Sequence, residues 1–205
     1  MNTHPLQCRC GTLKGHVSHP EHVARGICYC KDCQAFAHFL GSSATTLDEA
    51  GGTDVIATRP GNVTFTQGTE SLACMRLTNK GLLRWYASCC NTPIGNTPPD
   101  LRMSFVGLIH DCLEAPGQSL DASFGPVTMR VMTKSARKKV DARALSTIAT
   151  MLRFMPGVLL ARVTGHYRTT PFFKVGLETP VVTPKVLSHE EHERVMGQVS
   201  GASGA

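Results

Sequence analysis

The chain has 205 residues, which at roughly 150 residues per domain makes one domain with additions or two small ones. Hydrophobic residues are 41% of it and charged residues 18%, a balance that excludes a disordered chain. The 21 basic and 15 acidic residues leave a net charge of +6, enough for solubility but too thinly spread to call for a nucleic-acid partner.

The first twenty residues hold no apolar run of the kind a secretory leader needs. No stretch approaches eighteen consecutive apolar residues, so no membrane span and no membrane partner are expected. The expected compartment is the cytoplasm, where thiols stay reduced. Residues 6–135 read as short strands separated by turns. Leu13, Gly15 and Val17 alternate with polar neighbours, as in a half-buried strand. Val23–Cys28 and Val55–Thr58 are further short strands, and Val63 and Phe65 lead to an exit turn at Gly68. Leu72–Leu77 and Leu82–Tyr86 flank Asn79-Lys80-Gly81, a hairpin turn with Gly81 at a position suited to positive φ. Met103–Ile109 and Val127–Met132 complete a mainly β domain, a sandwich or partly open barrel.

The pattern changes near residue 140. Leu145, Ile148, Ala149, Leu152 and Met155 share one helix face, with Asp141 placed to cap it and Pro156-Gly157 to end or kink it. A basic cluster of Lys134, Arg137, Lys138, Lys139 and Arg143 precedes it and reads as a solvated face. Residues 158–187 carry proline turns around Phe172-Phe173. Ser188-His189-Glu190-Glu191 has capping-box spacing for a last helix, and the final Gly-Ala-Ser-Gly-Ala reads as disordered. The expected division is a β domain over residues 1–135 and a helical extension with a flexible tail over residues 136–205.

Seven of the nine cysteines fall in three short clusters: Cys8-Arg9-Cys10, Cys28-Tyr29-Cys30-Lys31-Asp32-Cys33 and Cys89-Cys90. In a reducing compartment such spacing points to metal ligands, and zinc prefers thiolates in tetrahedral arrays. Four protein thiolates close a structural site, whereas three leave a position open. Cys28, Cys30 and Cys33 supply three sulfurs locally, with His38 within reach as a fourth ligand or else facing solvent or the core. Cys8 and Cys10 need two more ligands from far away, and the third cluster is the natural source. One or two zinc ions per chain are expected. The adjacent Cys89-Cys90 pair also allows a thiol redox role, because neighbouring cysteines form strained, labile disulfides. Cys74 and Cys112 read as core thiols, and Trp85 and Tyr86 as core packing. His4, His16, His19 and His22 make a weak candidate for a secondary metal contact.

The order Cys-x-Cys-Gly, Cys-x-Cys-x-x-Cys, then a strand running into a cysteine turn before Thr92-Pro93, resembles the glutathione-dependent formaldehyde-activating enzymes and the centromere protein V-like proteins. The resemblance covers roughly residues 6–110. It implies an Mss4-like β fold with Cys8, Cys10 and Cys90 on a structural zinc and Cys28, Cys30 and Cys33 on a catalytic one. Two positions depart from it: Ala87 stands where a cysteine belongs, and Asn91 where a glycine belongs. Cys89 then takes over as the fourth structural ligand, or leans to the second zinc, or the first site has three cysteines. Asn91 is the best non-glycine residue for a turn at positive φ.

The activity the resemblance implies is that of a carbon–sulfur lyase joining glutathione, as co-substrate, to a small aldehyde such as formaldehyde. The alternative is a non-catalytic, zinc-stabilised interaction module. Arg9, Arg25 and Lys31, beside the ligands, read as surface charges. Self-association through the C-terminal extension is left open.

Overall fold

A computed structural model describes residues 2–114, 117–174 and 176–201. In chain order the strands and helices are β1 (Thr3–Gln7), β2 (Lys14–Ser18), β3 (Ala24–Cys28), α1 (Lys31–Leu40), α2 (Ser43–Thr46), β4 (Thr53–Thr58), β5 (Val63–Gln67), β6 (Leu72–Arg76), β7 (Leu83–Ala87), β8 (Thr92–Thr97) and β9 (Val106–Ile109). There follow α3 (Leu120–Phe124), β10 (Met129–Val131), α4 (Ala144–Thr164), β11 (Phe173–Lys174), β12 (Thr179–Pro180), β13 (Lys185–Val186) and α5 (His189–Gly201). The protein is mainly β sheet with helices at its C-terminal end.

Three antiparallel strands, β1-β2-β5, form a small sheet. Eight strands in the order β10-β3-β4-β9-β8-β7-β6-β13 form a large one. Its inner strands pair antiparallel, while the two edges, β10 on β3 and β13 on β6, are parallel. Gly26 is needed at the first of these edges, because a Cβ there would stand 2.7 Å from that of Met129.

Alternation along the strands divides the core in two. Cys74 and Leu108 face a cluster with Leu6, Leu13, Trp85, Ile94 and Phe172, which joins the two sheets. Their neighbours Met75 and Ile109 face the other way, onto Phe36 and Leu40 of α1 and Val195 and Val199 of α5. The segment after residue 135 enters both. Tyr167, Phe172 and Phe173 lie in the first cluster, with the Phe172 ring 5.1 Å from that of Trp85, and α5 lies in the second. α5 begins as its spacing predicts: the Ser188 hydroxyl accepts from Glu191 N and the Glu191 carboxylate from Ser188 N, at 3.1 and 2.9 Å. The tail beyond Gly201 lies outside the described residues.

The sequence reading misses several elements, among them β1, β8, α1 and α3, besides the short α2, β11, β12 and β13. β1 reads Thr-His-Pro-Leu-Gln, and β8 holds Pro, Gly and Asn, poor strand formers, yet is wholly buried. α3 is short. α1 was hidden by the cysteine cluster that begins it. The later helix also departs from expectation. Pro156 and Gly157 do not end α4, which runs on to Gly165, a left-handed cap. Asp141 does not cap it either: Arg143 holds the N-cap position, and the Asp141 carboxylate accepts from Arg143 N instead. Among the described residues α4 is the one helix that is long and apolar enough, by length and composition, to cross a membrane, and little of it is buried. Counting consecutive apolar residues overlooked it, because Ser, Thr and Arg interrupt the run.

Candidate metal centres

The thiols of Cys8, Cys10, Cys89 and Cys90 lie within 4.8 Å of one another. Two tight turns bring them together. The first runs from the end of β1 to Gly11, whose positive φ of 73° closes it, with Gly11 N donating to Cys8 O at 2.9 Å and Leu13 N to Cys8 Sγ at 3.3 Å. The second links β7 to β8, with Asn91 at φ 54°, the conformation expected of it. The backbone N–H of Arg9 donates to the Thr92 hydroxyl at 2.9 Å and ties the turns together. Cys89 points at Cys10 (3.3 Å) and Cys8 (3.7 Å), while Cys8 and Cys10 stand 3.5 Å apart and Cys89 and Cys90 3.8 Å. Four sulfurs each about 2.3 Å from one ion stand about 3.8 Å apart, so the set has the size of a tetrahedral thiolate site. A hydrogen bond with the Thr12 hydroxyl lowers the Cys10 thiol to about 6, while burial raises Cys8, and partial desolvation with the neighbouring thiols Cys10, Cys8 and Cys90 pushes Cys89 up to about 12. None of the nine cysteines is in a disulfide.

Cys28, Cys30 and Cys33 form the second group, again within 4.8 Å of one another. Cys28 ends β3, Cys30 is the N-cap of α1, and Cys33 sits in its first turn. Cys33 N donates to Cys30 Sγ at 3.3 Å, so a sulfur does the capping that an oxygen usually does. The positive end of a ten-residue helix favours thiolates at this spot. Contacts from Cys28 and Cys30, then the Arg84 charge, hold the buried Cys33 thiol well below its usual range, and the same contacts raise Cys28.

Arg84 is the residue that sequence reasoning missed. It is 2% exposed, with Nη1 3.9 Å from Cys33 Sγ and 3.0 Å from Asn96 Oδ1, and Nη2 3.3 Å from Asp32 Oδ2. Its guanidinium also lies over the Phe36 ring at 5.5 Å. Three thiolates around a divalent ion would carry one net negative charge, and Arg84 is a buried cation placed to offset it. The available signal was weak: a lone arginine in an otherwise apolar strand, Leu83-Arg84-Trp85.

A cavity of about 160 Å³ adjoins Cys28 and Cys33. Gly26, Val55, Phe105 and Met129 help to line it, and Asn96 is its one polar residue besides the cysteines. A larger cleft of about 390 Å³, with Arg25, Arg59 and Arg153 in its wall, holds no thiol. Chemistry therefore directs attention to the smaller space.

Other expectations are sorted by the same coordinates. His38 does not join the three thiols but lies 3.4 Å from Arg137 Nη2, where burial and that charge lower its pKa. Arg25 is not a surface charge. It is buried between Asp54 and Asp121 at 2.7 and 2.5 Å, fastening β3 to β4 and α3. Arg9 reaches Asp111 at 3.9 Å, and Lys31 is exposed. Cys112 is buried on the carbonyls of Ile109 and Ile94, and Cys74 is buried in the sheet. Trp85 is core, its indole N–H donating to the Thr97 hydroxyl at 2.9 Å, and Tyr86 packs edge-on against Phe39. His4 is fully buried between Leu113 O and the Ser123 hydroxyl, and no histidine joins a metal-holding group among the described residues.

The two thiol groups can therefore each hold a metal ion, one with four donors and one with three, and both are compatible with zinc. Comparison with curated proteins finds no match. Among solved structures, a Rhodobacter sphaeroides protein is similar at 16% identity and a TM-score of 0.37, over 60% of this chain and 96% of that one. The model of a family of unknown function, DUF6151, matches residues 1–183, and the chain belongs to that family.

Proposed function

We propose that the protein is a zinc enzyme that makes or breaks a carbon–sulfur bond between a thiol and a small aldehyde at Cys28, Cys30 and Cys33. Cys8, Cys10, Cys89 and Cys90 hold a structural zinc, the β domain is Mss4-like, and the protein works in the cytoplasm. The observation that carries this reading is the contrast in donor number, together with the cavity beside the set of three. When bound there, zinc supplies an acidic coordination position at which a thiol loses its proton readily. The chain's own residues do the rest. The helix N-terminus and Arg84 favour the ionised form of Cys33, and the largely apolar cavity beside it takes the aldehyde. In the bond-forming direction sulfur bonds to the carbonyl carbon, and the thiol's proton ends on the carbonyl oxygen.

The cavity also speaks to the substrate. Its lining carries no cation to receive the carboxylates of glutathione, so such a thiol would keep them at the mouth and place only its sulfur inside. A second reading, a zinc-stabilised interaction module, draws on the same lining, which offers no carboxylate or imidazole as a general base. Exchange NMR on mixtures of formaldehyde with glutathione, and with an uncharged alkyl thiol, tests both. Acceleration that disappears in Cys30→Ser supports the enzyme. Full metal occupancy with no acceleration for either thiol overturns it in favour of the module.

A further inference from the structure

α4 turns its apolar side away from the protein. Thr147, Phe154, Val158 and Ala161 fall on one arc, and the helix packs through that arc on β10 and β3. The opposite arc carries Leu145, Ile148, Leu152, Leu159 and Val163, between 57% and 85% exposed. At 100° per residue, Arg153 and Arg162 fall on the two borders between the arcs. The charge is one-sided as well. From residue 142 to residue 177 the chain has no Asp or Glu, yet it has Arg143, Arg153, Arg162, Arg168 and Lys174. Among the described residues Arg153 and Arg162 make no ion pair. A contiguous apolar patch on this scale marks an interaction surface.

We infer that this face of α4 docks on an anionic lipid surface, in departure from the expectation of no membrane partner. The helix, about 30 Å long, lies in the plane of the membrane, because its inner arc is already packed on the folded body. The leucines enter the boundary between headgroups and acyl chains. The two border arginines reach the lipid phosphates, their stems lying along the apolar stripe. A second copy of this chain fits the face less well. Pairing α4 with itself sets arginine borders against arginine borders, with no carboxylate in either helix to answer them.

Flotation of the full-length, metal-loaded chain with vesicles tests this. Vesicles of phosphatidylcholine with one-third phosphatidylserine are expected to bind it about tenfold more strongly than phosphatidylcholine alone, and salt is expected to weaken the binding. The double variant Leu152→Glu/Leu159→Glu, at exposed positions, is expected to lose binding by tenfold or more with metal content and circular dichroism unchanged. Binding that ignores phosphatidylserine, or that survives in the variant, overturns the inference. So does an absence of vesicle binding, including the case where sedimentation finds a dimer that the same variant breaks.

Discussion

The two cysteine groups use the same donor atom in opposite settings. Cys8, Cys10, Cys89 and Cys90 hang on two turns at the rim of the β structure, and Cys10 and Cys89 are open to solvent. Cys8 and Cys90 reach the core, but one backbone-to-hydroxyl bond, Arg9 N to Thr92, ties the two turns, and a shared ion would add to it. Cys28, Cys30 and Cys33 sit instead where a sheet strand runs into a helix already packed against Met75, Ile109 and α5. Their frame exists without an ion. Under the proposed function a metal would contribute differently to the two places: to folding at the first, and to chemistry at the second.

The sharpest way to break that contrast is to remove one sulfur from each. Cys8→Ser is expected to collapse the domain, because a structural zinc site contributes ~10 kcal/mol or more to folding, comparable to the whole stability of a domain. Cys30→Ser is expected to lose one metal ion per chain and all carbon–sulfur chemistry while keeping its thermal transition within a few degrees. Elemental analysis of the two variants beside calorimetry decides it. Equal destabilisation would make both sites structural and return the protein to the interaction module.

Arg84→Met sharpens the comparison next. It leaves the buried Asn96 without its donor and the exposed Asp32 without its partner, at a cost of about 1–3 kcal/mol. As a neighbour of the ligands it is expected to weaken metal binding at the second centre by about 10–100-fold and leave the first unchanged. Competition with a chromogenic chelator reads the two sites separately. A uniform loss at both would show that Arg84 serves only the fold.

These two tests rest on residues of very different legibility. The seven thiols were readable because metal ligands must lie close in space, and tight turns put most of them close in sequence. The Cys8-to-Cys89 union was readable only by counting donors. Arg84 and Asn96 were not, since they come from β7 and β8, and nothing near Cys33 in sequence points to them. α1 could have been found. Asp32 in its first turn, the run Gln34-Ala35-Phe36-Ala37 and Gly41 beyond its end are helix signals that a strand-and-turn reading of residues 6–135 passed over. The course of α4 through Pro156 shows that a proline need not end a helix whose apolar pattern continues beyond it.

The smallest expected effects lie in the backbone at the first centre. Asn91 holds φ 54° between Cys90 and Thr92, a conformation that costs a non-glycine residue about 1 kcal/mol. Asn91→Gly is expected to raise stability slightly or leave it level, because glycine's freedom in the unfolded chain offsets part of the relief. Asn91→Val is expected to lower it by ~1–2 kcal/mol, since a β-branched side chain tolerates that region worst. The three-thiol centre should register neither change. If Asn91→Val weakened metal binding at Cys28, Cys30 and Cys33 as well, the two centres would be coupled through β7 and β8, and the division between a folding metal and a chemical one would fail.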